Sequence, residues 1–264
     1  DTEFKKNEII IKRIKNNNYE LKGPFFNANS LISNLLKTKV RKKSKIFKNN
    51  ININLNLNET YIDDKNLIKN LKGKLYIEDN KVVQSNISAL FADNENFTFT
   101  ISTNNDEKVT TLFSSRAKPL VSRYKFIKGY EEGYLDFYSS KKNNISKSTL
   151  KIYDFKLQKL PTLTKLLTLA SLQGIADILS GEGIRFDEFE MNFSNKGSLM
   201  TIEEVYAIGP AISILMSGYV EQDKLISLRG TLVPATTINK TISSIPLLGK
   251  ILVGSKTGEG VFGV

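Results

Sequence analysis

The sequence has no cysteine, no histidine and no tryptophan among its 264 residues. Without cysteine there is no disulfide and no thiol nucleophile. Without histidine there is no imidazole base, and the two absences together remove the usual zinc ligand sets. An oxidising compartment is still permitted, since cysteine-free chains are at home there too. No run approaches the roughly 20 apolar residues that a membrane-spanning helix requires. No secretory leader is visible in the opening Asp1-Thr-Glu-Phe-Lys-Lys6. The Gly-punctuated apolar stretch that stops at Val264 reads as a cut within something longer.

What is present describes a folded, basic chain. It is 40% hydrophobic and 25% charged, outside the range of disordered tails, and long enough for one large β domain or two smaller ones. The formal net charge is +11, carried mostly by lysine. Such a surplus attracts nucleic acid or an anionic membrane surface. It also follows from an AT-rich coding bias, because Lys, Asn and Ile are abundant together. The cluster Val40-Arg-Lys-Lys-Ser-Lys45 falls between patterned segments, where it would attract lipid headgroups.

Alternation with period two dominates. Ile51-Asn-Ile-Asn-Leu-Asn-Leu-Asn58 puts every apolar side chain on one face and every Asn on the other, although Asn is a poor strand former. Phe97–Ser102 and Phe189–Phe193 repeat the pattern. Weaker versions occur at Lys74–Glu78, Lys81–Ala89, Lys108–Phe113, Tyr134–Tyr138, Leu150–Phe155, Ser198–Tyr206, Ala211–Val220 and Leu225–Val233. Turn chemistry separates them at Glu78-Asp-Asn80, Asn104-Asn-Asp106, Asn195-Lys-Gly197 and Gln222-Asp223. Many one-faced strands with short joins predict an antiparallel meander. Helices are expected at Asn29–Lys37, at Ser115–Tyr124 with Pro119 in the first turn, at Pro161–Ser180, and at Thr236–Leu252 with a break at Pro246. The third is apolar over most of its surface and needs cover on more than one side.

The short motifs carry little chemistry. Gly258-Glu-Gly-Val-Phe-Gly263 satisfies a dinucleotide-binding spacing but lacks the following helix that would aim its amides at a pyrophosphate. Ser115/Lys118 and Ser122/Lys125 lack the partner motifs of serine acyl enzymes. Asp63-Asp64, Glu131-Glu132 and Asp187/Glu188/Glu190 fit a solvated strand face better than acid–base catalysis. Phe97 and Phe99 fall on the apolar side, which disfavours stacking on nucleic acid bases.

Several phrases occur in a fixed succession: Asp154-Phe155, Pro161, Ala170-Ser171, Leu179-Ser-Gly-Glu-Gly-Ile184, Gly209-Pro-Ala211, Ser217-Gly218, Gly230-Thr-Leu-Val-Pro-Ala235, Asn239 and Ile245-Pro-Leu-Leu-Gly249. Together they resemble the C-terminal region of AsmA-like, YhdP-type envelope proteins of Gram-negative bacteria, densely over 115–264 and in outline over 1–114. The resemblance implies one continuous β-rich (α+β) fold: a long curved antiparallel sheet forming a trough, with a few short helices packed on or in it. It also implies a non-enzymatic, cofactor-free and metal-free role in the periplasm. There the domain would bind phospholipid acyl chains for transport between the inner and outer membranes, held to the inner membrane by a segment outside this chain.

The implied groove lining is Ile51, Ile53, Leu55, Leu57, Phe97, Phe99, Phe189, Met191 and Phe193, with Leu163, Leu166 and Leu167 of the long helix filling the same space. Gly181, Gly183, Gly230 and Pro234 shape turns and backbone. The alternatives are an outer-membrane assembly scaffold working through envelope-protein partners at its sheet edges and, less favoured, a basic nucleic-acid-binding module; the main reading has no nucleic acid partner.

Overall fold

The computed structural model describes residues 7–30, 32, 50–79, 81–123, 129–158, 164, 181–222, 224–234 and 262–263. It is one unclosed mixed sheet in which each strand neighbours its successor in sequence, from β1 to β14. The strands are β1 (Glu8–Lys15), β2 (Asn18–Asn27), β3 (Ile51–Tyr61), β4 (Leu67–Glu78), β5 (Lys81–Leu90), β6 (Asn96–Asn104), β7 (Glu107–Ser114), β8 (Tyr130–Lys142), β9 (Ile145–Leu157), β10 (Ile184–Lys196), β11 (Leu199–Ile208), β12 (Ile212–Glu221), β13 (Leu225–Pro234) and β14 (Phe262–Gly263). Contacts divide the chain into two compact units. One is Asp1–Pro119 with Tyr138–Lys142, and the other is Leu120–Phe137 with Asn143–Val264.

Each alternating segment read from the sequence lies within a strand, save that Ser198 and Ala211 stand one residue before β11 and β12, and the turn residues act through their tolerance of left-handed backbone. Asn105 (φ 46) and Asp106 (φ 61) join β6 to β7, and Asn143 (φ 50) and Asn144 (φ 63) join β8 to β9. Such pairs suit the two-residue hairpin turns whose twist matches the strands. Gly197 (φ 63) serves between β10 and β11, and Asp79 (φ 48) between β4 and β5.

Two expectations are corrected, and one pair of strands was not anticipated. The sheet is mixed, because β2 and β3 run parallel, with Leu21 opposite Leu55 and Gly23 opposite Leu57. Parallel neighbours need a crossover of a dozen or more residues, and the sequence between Asn27 and Ile51 is long enough to supply one. No alternating segment was read over β1 and β2, since Ile9-Ile-Ile11 is a continuous apolar run rather than an alternation. Helix is scarce: among the described residues the one bounded helix is α1 (Lys118–Val121), with Pro119 in its single turn. Asn29, Ser30 and Ile32 are helical, and the Ile32 amide donates to the Ala28 carbonyl at 2.9 Å. The helices expected over 161–180 and 236–252 lie outside the described residues, Thr164 excepted.

In the first unit the core gathers Leu57, Ile62, Ile68, Leu71, Ala89 and Phe91, with Leu21, Leu55, Ile87 and Phe97 packed against it. Arg116 caps it from the loop side, 5.6 Å above the Phe91 ring, hydrogen-bonded to Glu95 at 2.6 Å and paired with Asp93. In the second unit the rings of Tyr130, Phe155 and Phe186 stack in series at 5.5 and 5.3 Å.

Three non-glycine residues inside strands adopt left-handed backbone, Asn70 (φ 53) in β4, Glu132 (φ 63) in β8 and Asp154 (φ 52) in β9. At each the strict alternation is interrupted. Thr60 and its partner Ile68 are both buried, Ile68 within the Leu57 cluster, and Phe155 meets both Phe186 and Phe189.

Leu57 is 2% exposed within this core. Leu57→Ala is expected to cost about 2–5 kcal/mol. Asn54→Ala, on the solvated face of the same strand, stays within about 0.5 kcal/mol. Urea unfolding of both variants checks the contrast.

Candidate functional site

The expected lining residues fall on one face within each unit. In the first, strand register carries one apolar row across seven strands: Ile11, Leu21, Leu55, Gly73, Ile87, Phe99 and Leu112. A parallel row holds Tyr19, Ile53, Leu75, Ser85, Ile101 and Thr110, with Arg13 at the β1 end. Leu57 faces Leu71, Ala89 faces Phe97, and Ile51 faces Ile77. Ile51, Ile53, Leu55, Leu57, Phe97 and Phe99 therefore share a face.

Ile51 and Leu57 are fully buried, while Ile53, Leu55, Phe97 and Phe99 are half-buried. The sequence did not single out Leu21, Leu75, Ile87, Ile101 or Leu112: Leu75, Ile87 and Leu112 lie in weaker alternations, Ile101 ends the strong Phe97–Ser102 pattern, and no alternating segment was read around Leu21. With neighbouring strands about 4.8 Å apart, the row from Leu21 to Leu112 runs about 24 Å along the sheet.

In the second unit Ile152, Phe189, Ala207, Ile214 and Leu232 form one row. Leu150, Met191, Val205, Met216 and Gly230 form the next, and Ser148, Phe193, Ile202, Gly218 and Leu228 a third. None of these positions is charged. Phe189, Met191 and Phe193 thus share a face, each half-buried. Cover on this face thins along β13, where Leu232 is 4%, Leu228 46% and Ile226 69% exposed. Leu163, Leu166 and Leu167 lie outside the described residues.

Gly181 and Gly183 precede β10, whereas Gly230 and Pro234 lie inside β13 rather than in a turn. A Cβ on Gly230 would stand 2.3 Å from the Leu215 carbonyl oxygen and 2.4 Å from Met216 Cγ, so close approach of β12 requires glycine there. Gly183 combines φ 90 with a Cβ position 2.4 Å from Gln158 Cγ. Gly183→Ala is expected to cost about 1–3 kcal/mol. Gly197→Ala, with nothing within 4 Å, carries only the left-handed backbone cost of about 1 kcal/mol. Thermal or urea melts of the pair separate the two terms.

The opposite faces are polar. In the first unit Asn54 stands opposite Lys74 and Asn56 opposite Lys72, and Thr100 and Thr111 share a hydroxyl hydrogen bond of 2.7 Å. A shallow depression of about 360 Å³ on this side is lined by Ser102, Asn104, Asn105, Glu107, Val109 and Lys142. In the second unit Glu190 gathers a network. Lys151 Nζ lies 2.7 Å away, Asn192 Nδ2 donates at 2.8 Å and the Tyr206 hydroxyl at 2.9 Å. Thr149 donates to Asn192 at 2.7 Å, and Tyr134 stacks on Tyr153 at 4.8 Å.

Partial burial pushes the Glu190 carboxyl up, but hydrogen bonds from Lys151, Asn192 and Tyr206 outweigh it and hold the group below its ordinary value. Lys151 is raised, chiefly by its bond to Glu190, and Tyr206 is raised by burial and by the same carboxylate. The Glu190 contribution to stability is thus present above the usual 4.5 and lost as pH falls through the lowered folded value. The Lys151 contribution is present below 10.5 and lost as pH rises through the raised value. Glu190→Gln is expected to flatten the acid limb of a melting-temperature profile, which differential scanning fluorimetry across pH checks.

Among the described residues no cluster of carboxylates could hold a metal, and no helix is long and apolar enough to cross a membrane. Compared with protein-family models, with curated proteins and with solved structures, the chain matches none.

Proposed function

We propose that this chain is a non-enzymatic lipid-handling domain of a cell envelope, binding phospholipid acyl chains along the apolar face of its sheet in a trough-like arrangement. The observation that carries the reading is the uncharged central row of the first unit, half-buried from Leu21 to Leu112. An apolar face of this extent on a soluble domain needs a cover. Its length of about 24 Å exceeds the depth of one bilayer leaflet's hydrocarbon, about 15 Å, so an acyl chain can lie along it. Each methylene removed from water contributes about 0.8 kcal/mol. Residues that only slide past an acyl chain need no chemistry beyond this, which fits a track for phospholipid between two membranes and a periplasmic location.

A second reading has its own observation. β1 is first in the strand order and carries Ile10, Ile11 and Ile14 largely exposed, so its edge, unpaired among the described residues, could accept a strand from an envelope protein. Lys12, Arg13 and Lys15 on the same strand oppose that use, because charge on an edge discourages pairing.

Native mass spectrometry with lipid extraction, on protein purified from a bacterial periplasm, tests the proposal. Phospholipid is expected to co-purify and to be lost from Leu55→Asp/Phe99→Asp, while Asn56→Asp on the solvated face retains it. A lipid-free wild-type protein with native circular dichroism would sink the lipid reading and favour strand docking.

A further inference from the structure

Lys108 breaks the pattern of the apolar face. It pairs with Thr103, and successive steps of two residues along the same ladder reach Thr110 opposite Ile101 and Leu112 opposite Phe99. Lys108 therefore stands on the apolar side of β7, at the hairpin end of the rows that contain Phe99 and Ile101. Its side chain reaches past β6, and Nζ donates to the Val82 main-chain carbonyl at 2.9 Å. An ammonium has three donors, so two remain after that bond.

Partial burial, and after it the like charges of Lys141 and Lys81, push the Lys108 ammonium below the usual lysine range. Among the described residues no carboxylate pairs with Lys108: Glu107 is taken by the Ser140 hydroxyl, and Glu78 stands opposite Lys81 at the end of β4. A half-buried cation repelled by two others is costly unless an anion joins it.

We propose that Lys108, with Lys81 and Lys141 beside it, seats a phosphate group, and that this group is the headgroup phosphate of a lipid whose chains lie on Leu112, Phe99 and Ile101. The assignment rests on the lipid-handling reading and adds to it a polar anchor at one margin of the apolar face. Thr110 is about 7 Å along β7 from Lys108, and Leu112 twice that, a separation suited to a molecule with a charged head and a short linker to its apolar tails. The cationic site would favour lipids with an accessible phosphate over neutral lipids of the same chain length.

The test is calorimetric titration of the full chain with three probes: dihexanoylphosphatidylglycerol, neutral monohexanoylglycerol and inorganic phosphate. Lys108→Gln is expected to weaken the anionic lipid about tenfold and leave the neutral one unchanged. Lys72→Gln, on the opposite face, should change neither. Should Lys108→Gln not fold by circular dichroism, Lys81→Gln/Lys141→Gln carries the same expectation. If both lipids bind wild type and variant alike, the headgroup seat is overturned while the lipid reading stands. If inorganic phosphate binds in a Lys108-dependent way and neither lipid does, the lipid reading and the headgroup assignment both fall and a free-phosphate site remains. If none of the three binds, both are overturned.

Discussion

Strand register is the constraint on which the rest depends. A side chain in a strand changes face with every residue, so a slip of one position would send Leu55, Ile87 and Phe99 to solvent and Asn54, Asn86 and Thr100 inward. Short left-handed turns fix the register. Asn105-Asp106 sets Phe99 against Leu112, and Gly197 sets Phe193 in line with Ile202. The apolar rows are therefore a product of turn chemistry as much as of hydrophobicity.

The two faces solve different problems. The polar one carries short hydrogen bonds, as around Glu190, where four side chains share one carboxylate neighbourhood. Cross-strand polar pairs of this kind add modest stability each and make the face self-sufficient in water. A loop covers the apolar face at Phe91, which lies beneath Arg116. Among the described residues Leu55, Ile87, Phe99 and Met191 on that face are half-buried.

Much of the fold was legible because alternation and Asn- or Gly-bearing turns are local signals. Ile51–Asn58 could hardly be anything but a one-faced strand, and Asn104-Asn-Asp106 hardly anything but its kind of turn. What escaped was either non-local or out of period. The parallel partnership of β2 and β3 depends on residues far apart in sequence, and no local pattern encodes it. Phe155 and Phe186 share a cluster with Phe189 only because Asp154 turns left-handed inside a strand, which defeats a simple count by two. Gly230 resembled a turn residue because glycine usually is one, yet here it makes room for Met216. Lys108 was hidden by the abundance of lysine: nothing in its neighbours announced that this one stands on the apolar side.

The parallel join between β2 and β3 also bears on the order in which the first unit assembles. From β3 to β7 every strand meets its successor through a short connection, so those pairings are local and fast. Bringing β2 alongside β3 must first close the chain across residues 28–50, an entropic penalty about 2 kcal/mol above that of a two-residue turn. The β1–β2 hairpin is thus expected to dock last and to leave first. When it leaves it uncovers Leu55 and the free edge of β3, so the end of the apolar row can open without unfolding the meander behind it.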